Sequence, residues 1–265
     1  MNHREFILCI SAFIAVMAAE AVVNPDISAL GQVFLGYTND SATFDARRAT
    51  LSLGETELNF EAPLNPYYKA HFTFAIGDEG FEVEEAFFWT LRGLPKGLGF
   101  KAGKYRLGFG KLNIFHPHAY PFIEPPLVVN PEAAGLLPGE ESFNEVAAQL
   151  SYLLPTPGDW ASTLSIDALQ GNTFKSDSVS ESMRLGWLAR WSNAWLFADQ
   201  NPLEAGLSVS QGTNDPNQET KTLVAGADLK GKYQTTSYSS VLVQAEGLYR
   251  VMEVPDRSDE RRLGF

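Results

Sequence analysis

His116-Pro117-His118 is the part of this chain whose residue types come closest to chemistry. Two imidazoles two positions apart on an extended backbone leave it on the same side. Imidazole is a base, a proton carrier and a metal ligand. The same stretch adds Glu124, Glu132, Glu140 and Glu141. No H-E-x-x-H helix supports a metal, and the single cysteine, Cys9, lies far away near the N-terminus. Pairs of this kind ordinarily pack or hydrogen-bond, so the spacing assigns no metal and no cofactor. Catalysis has less behind it still. There is no G-x-S-x-G and no phosphate-binding loop, and the expectation is that the protein is not an enzyme. A second set of charged residues is spread along strands. Lys69 and His71 share the polar side of one segment, and Lys101 lies on another. Glu55, Glu57, Asn59 and Glu61 form an acidic row on a neighbouring segment. Opposed rows of this kind would place a field across a pore and bias ion passage. In a solvated sheet they would be ordinary cross-strand pairs.

The elements that must position these residues are strands. Tyr68, Ala70, Phe72, Phe74 and Ile76 alternate with Lys69, His71 and Thr73. The pattern returns at Val146-Ala148-Leu150-Tyr152-Leu154, at Leu223-Ala225-Ala227-Leu229 and at Val241-Val243-Ala245-Gly247-Tyr249-Val251. Period 2 means a strand with unlike faces. Here it recurs along nearly the whole chain, and turn residues separate the segments. That is the pattern of an all-β, antiparallel, up-and-down transmembrane β-barrel, apolar toward lipid and polar toward a lumen. About eleven strands are expected. The second changes phase at Gly54, which predicts a bulge. Trp160, Trp187, Trp191 and Trp195 with Tyr67 and Tyr68 suit aromatic belts at the two membrane interfaces.

Residues 1–21 read as a cleaved signal peptide, with an apolar run after Arg4 and the small-x-small site Ala19-Glu20-Ala21. Residues 22–265 then form the barrel, located in the cell outer membrane. The mature part carries no cysteine and so no disulfide. A net charge of −12 argues against nucleic-acid binding. Turns near Pro63, Gly93, Pro155, Ala198 and Gly231 are short and fall on one side. The connections on the other side are longer, except the one after Ile76. By the usual asymmetry of such barrels, the short side is periplasmic. The longest connection, 110–143, is dense in proline (Pro117, Pro121, Pro125, Pro126, Pro131, Pro138). Connections of that length are usually functional or disordered. This one is expected to fold inward and narrow the mouth, with His116, His118, Tyr120 and Glu124 at the constriction. The histidines would gain charge near pH 6–7. The last charged stretch, 255–262, does not alternate, and further C-terminal strands are expected beyond it.

Residues 99–113, GFKAGKYRLGFGKLN, are followed by Phe115-His116-Pro117-His118-Ala119-Tyr120-Pro121-Phe122. Together with Asn24-Pro25-Asp26-Ile27-Ser28 and Glu82-Val83-Glu84-Glu85-Ala86, they resemble a group of porin-like outer-membrane proteins of Gram-negative bacteria. The G-K-Y-R-x-x-F-G segment is also distantly similar to a stretch of the phosphate-selective porin group. Gly108 stands where that stretch has proline, so the likeness does not extend to a phosphate preference. The resemblance implies a 16- or 18-stranded diffusion channel, longer than this chain. The partners expected are outer-membrane lipid and small hydrophilic solutes, with a homotrimer one assembly open to such a barrel. Two rival readings are a secreted β-sandwich that binds glycans, its apolar faces packed together, and a barrel enzyme using His116 or His118.

Overall fold

The computed structural model describes residues 24–37, 48–77, 80–120, 126, 128–129, 135–139, 143–175, 184–198, 200–255 and 257–265. The signal segment lies outside them, as do Glu124, Glu132, Glu140 and Glu141. The strands are β1 (Asp26–Tyr37), β2 (Ala49–Pro63), β3 (Tyr68–Gly77), β4 (Gly80–Thr90), β5 (Leu98–Arg106) and β6 (Asn144–Leu154). They continue with β7 (Trp160–Leu169), β8 (Gly186–Phe197), β9 (Asn201–Asp215), β10 (Thr220–Thr236), β11 (Ser239–Met252) and β12 (Glu260–Gly264). All belong to one sheet whose spatial order is the sequence order, and each pairs antiparallel with the next. The fold is an all-β, up-and-down antiparallel meander. The described residues form one sheet, and among them the two packed sheets of a sandwich are not seen.

Two expectations about the strands need correction. Among the described residues there are twelve strands instead of eleven. β12 pairs Leu248–Met252 with Glu260–Gly264, because backbone pairing does not require the side-chain alternation that the charged stretch lacks. β10 runs through Gly231 to Thr236 and turns at Ser237 and Tyr238, and β9 extends to Asp215. The connection between β9 and β10 is therefore a short turn, not a long loop. The bulge in β2 falls where the phase changes. Gly31 faces Thr56 and Val33 faces Leu53, so β2 holds an extra residue around Gly54. A side chain at Gly54 would collide with Phe34 and Gln32.

The two faces of the sheet are inverted relative to a water-soluble protein. Large apolar side chains on one face are open, with Val243 60%, Ile166 54%, Leu207 54% and Leu150 50% exposed. The opposite face hides polar groups. Glu57, Thr73, Asp167 and Ser210 are all buried there. Registry carries the apolar face from strand to strand, as in Leu164 opposite Trp191 and Trp191 opposite Leu207. Near the short turns this face is aromatic. Trp160 stacks on Trp195 with centroids 6.2 Å apart, and Tyr68 meets Phe88 edge-on at 5.9 Å.

The sheet is strongly rolled, and the connection 107–143 shows it. The backbone N–H groups of Lys111 and Leu112 bond the Glu246 carboxylate on β11. The ring of His116 lies against Glu57 on β2. Five residues of chain reach at most about 18 Å. Strands nine positions apart in a flat sheet would be about 43 Å apart. Only a sheet curled into a trough brings both walls to one short segment. The core sits inside that trough. Leu107, Phe109, Leu112, Val128, Leu136 and Phe143 of the connection pack with inward side chains of the strands, among them Leu169, Leu188, Val224 and Leu248.

Candidate functional site

The candidate site is the interior of the trough, where inward strand residues meet the connection. Asn113 organises the path of the connection. Its side-chain amide donates to the Leu107 and Phe143 carbonyls and its oxygen accepts from the Phe143 N–H. The two ends of the insertion are thereby tied together. Tyr120 donates its hydroxyl to the Leu112 carbonyl at 3.1 Å. Burial raises the pKa of that phenol; nearby Arg106 opposes the shift and Glu246 adds to it.

Toward β9, β10 and β11 the connection is held by charge. The Lys111 ammonium pairs with Glu204. Glu246 accepts from the Lys111 N–H at 2.9 Å and the Leu112 N–H at 3.1 Å. Ser208 accepts from the Gly110 N–H at 3.3 Å. Arg190 bonds both oxygens of Asp228 and also donates to Ser208 at 2.6 Å.

Toward β2 and β4 the partners are carboxylates. A bulge opposite Thr73 and Phe74 leaves Glu84 as the extra residue of β4. In a regular strand Glu84 and Glu85 would point to opposite faces. Here both reach the His116 ring. Nδ1 of His116 is 2.9 Å from Glu84 Oε2 and 3.3 Å from Glu57 Oε1, while Nε2 is 3.2 Å from Glu85 Oε2. His118 Nδ1 is 2.8 Å from Glu57 Oε1. Arg106 donates to Glu84 at 3.4 Å and to the Phe115 carbonyl. Burial pushes the His116 imidazole down, but the Glu57, Glu84 and Glu85 carboxylates outweigh it and hold its pKa up at about 11. His116 therefore does not titrate near pH 6–7 as the free side chain would.

The expected pore-lining residues separate into three groups. Lys69, His71, Glu57 and Glu61 share the inward face, but basic and acidic rows sit on adjacent strands, β3 and β2. Lys69 pairs directly with Glu61, and His71 lies 3.4 Å from the same carboxylate. They are local cross-strand pairs that largely neutralise each other, and no transverse field is built from them. His71 also contacts Thr73, which donates to Asn59 at 2.7 Å. Lys101 stands apart. Its ammonium lies 4.0 Å from the Phe87 ring centroid and 3.7 Å from that of Tyr105. Tyr105 donates to Asp167 at 2.7 Å, and Gln149 donates to the same carboxylate. Glu55 lies in β2 beside the bulge. Lys104 contacts Glu82 in an exposed pair.

Sequence reasoning passed over Asp167, Arg190, Asp228 and Glu246. Asp167 and Arg190 are each the single charge of their strands, β7 and β8, while Asp228 shares β10 with Lys221, Lys230 and Lys232 and Glu246 shares β11 with Arg250. A charge in phase with the polar face was the available signal. Glu84 could not be found that way, because its facing depends on the bulge.

No protein-family model matches the chain. A protein of Aquifex aeolicus (strain VF5) described as uncharacterized is 31% identical over 223 residues, which cover 76% of this chain and 46% of that protein. The chain thus spans about half the length of this relative. A solved outer membrane protein of Vibrio cholerae, the loop L8 deletion mutant of OmpT, aligns over 90% of this chain and 86% of its own. The identity is 12% and the TM-score 0.41, too low for its properties to be carried over.

Proposed function

We propose that this chain forms the wall and constriction of a passive outer-membrane channel for small hydrophilic solutes or ions, of the porin-like kind, and is not an enzyme. The observation that carries this reading is the inverted sheet. A continuous apolar face with side chains such as Val243 more than half exposed has no stable partner in water. It is the surface that a lipid bilayer solvates, and the aromatic residues at the short-turn end suit the interface. The inward face is polar and carries the 107–143 connection as a plug fixed on two sides. Passage is then limited by that plug, along the wall formed by β2 and β3, where Lys69 and His71 stay partly open to solvent. The unit of transport is a closed barrel, alone or as a homotrimer.

Planar-bilayer recording of the protein purified from outer membrane tests this. Stepwise conductance is expected, and deleting residues 115–126 should enlarge each step. Recovery as a detergent-free periplasmic protein with no conductance would overturn the proposal.

A further inference from the structure

Four buried polar atoms converge where the connection meets β2 and β4. Glu57 Oε1, Glu84 Oε2, His116 Nδ1 and His118 Nδ1 are shut off from solvent, and none has a directed hydrogen bond. Ligand atoms of Glu57, Glu84 and His116 lie within 4.8 Å of one another, His116 Nδ1 being 2.9 Å from Glu84 Oε2 and 3.3 Å from Glu57 Oε1; His118 Nδ1 meets Glu57 Oε1 at 2.8 Å but stands outside that group. The Glu57 and Glu84 side chains are only 1% and 6% exposed. Leaving such groups unpaired costs free energy.

The separations within that group of three are those of atoms sharing a cation. With bonds of about 2.0–2.1 Å, tetrahedral donors stand about 3.3 Å apart and octahedral ones about 2.9 Å apart. The far side of each ligand is also arranged. Glu85 Oε2 sits against His116 Nε2 and Glu85 Oε1 accepts from the Arg106 backbone N–H at 2.8 Å. With Nε2 against Glu85, Nδ1 faces two carboxylate oxygens, and a bound cation would take the place of the Nδ1 proton between them. Arg106 holds the other oxygen of Glu84. Carboxylates that bond the outer nitrogen of a histidine are the common second layer of metal sites.

We propose that Glu57, Glu84 and His116 bind one divalent first-row transition ion, zinc being the fitting case, and that this ion clamps the connection to β2 and β4. One imidazole with two carboxylates matches such an ion. Calcium and magnesium prefer an all-oxygen shell. The two carboxylates balance the ion's charge, so burying it leaves no net charge at the centre. The ligands come from two strands and the connection, which makes the ion a crosslink between wall and plug.

The test uses the full chain, folded in detergent, stripped with a chelator and titrated with zinc alone by calorimetry. One ion per chain is expected. E57Q and H116N should each weaken binding at least about 10-fold, and H71A should leave it unchanged. Cobalt added in place of zinc should give a ligand-field absorption that changes in H116N. Far-UV dichroism shows which variants fold, and H116N decides alone if E57Q does not, because His116 lies on the connection and not in a strand. Absence of a saturable site overturns the proposal, as does equal affinity in wild type and H116N. The titration reads binding without reference to transport, so the channel reading stands or falls separately.

Discussion

Replacing Gly110 by alanine should release the connection from the β9–β11 wall. Gly110 has φ +65°, a left-handed conformation that costs an alanine about 1–2 kcal/mol. A Cβ there would also overlap the Glu246 carboxylate. The carboxylate is not free to swing aside, because it accepts the Lys111 and Leu112 N–H groups. Hydrogen bonds to a charged group contribute about 1.5–3 kcal/mol each. Displacing Glu246 far enough to clear the methyl group loses both. The smallest sum is about 4 kcal/mol, or about a thousandfold in the docking equilibrium at about 1.4 kcal/mol per decade. Amide hydrogen exchange reads this directly, as a loss of protection at Leu112 approaching that factor. Two comparisons separate the terms. Gly158→Ala, at φ +60° with nothing near the new methyl group, isolates the backbone cost. Gly110→Ala made in a Glu246→Ala background should cost only that same amount, the difference being the coupling between the two positions. Unchanged protection at Leu112 in G110A, or full additivity of the two changes, would refute the anchoring role of Glu246.

Two further outcomes follow from the same structure. Val243→Arg places a charge on the open apolar face and should lower the unfolding free energy in lipid by about 2–4 kcal/mol if the site is near mid-membrane; denaturant titration in vesicles measures it, and a loss below about 0.5 kcal/mol would mean that this face meets water. Glu61→Gln removes the shared partner of Lys69 and His71, so the reversal potential under a salt gradient should move toward anion preference, and no shift would place those side chains away from the solute path.

Most of the fold was legible in the sequence, because a strand writes its facing into every second residue. Alternation located eleven of the twelve strands and the phase change at Gly54. The exceptions have one cause. β12 and the ends of β9 and β10 are held by backbone pairing, which leaves no side-chain signature. Candidate side chains were legible only as to face. Glu57, Glu61, Lys69 and His71 do share the inward face, but which charges cancel is a matter of register. The rows were expected on neighbouring strands, and the pairing of Glu61 opposite His71 makes their members direct partners. The His116-x-His118 pair was visible from the start, while its meaning was not. By itself it is two imidazoles on a proline-rich stretch. The roll of the sheet brings Glu57 to it from β2, and a one-residue bulge turns Glu84 inward beside Glu85. Sequence thus determined the strands, their two faces and the length of the insertion, all properties of residues close along the chain. Which walls the insertion touches, and that ligand atoms of Glu57, Glu84 and His116 meet under it, depended on curvature and register, which arise only when distant strands pair.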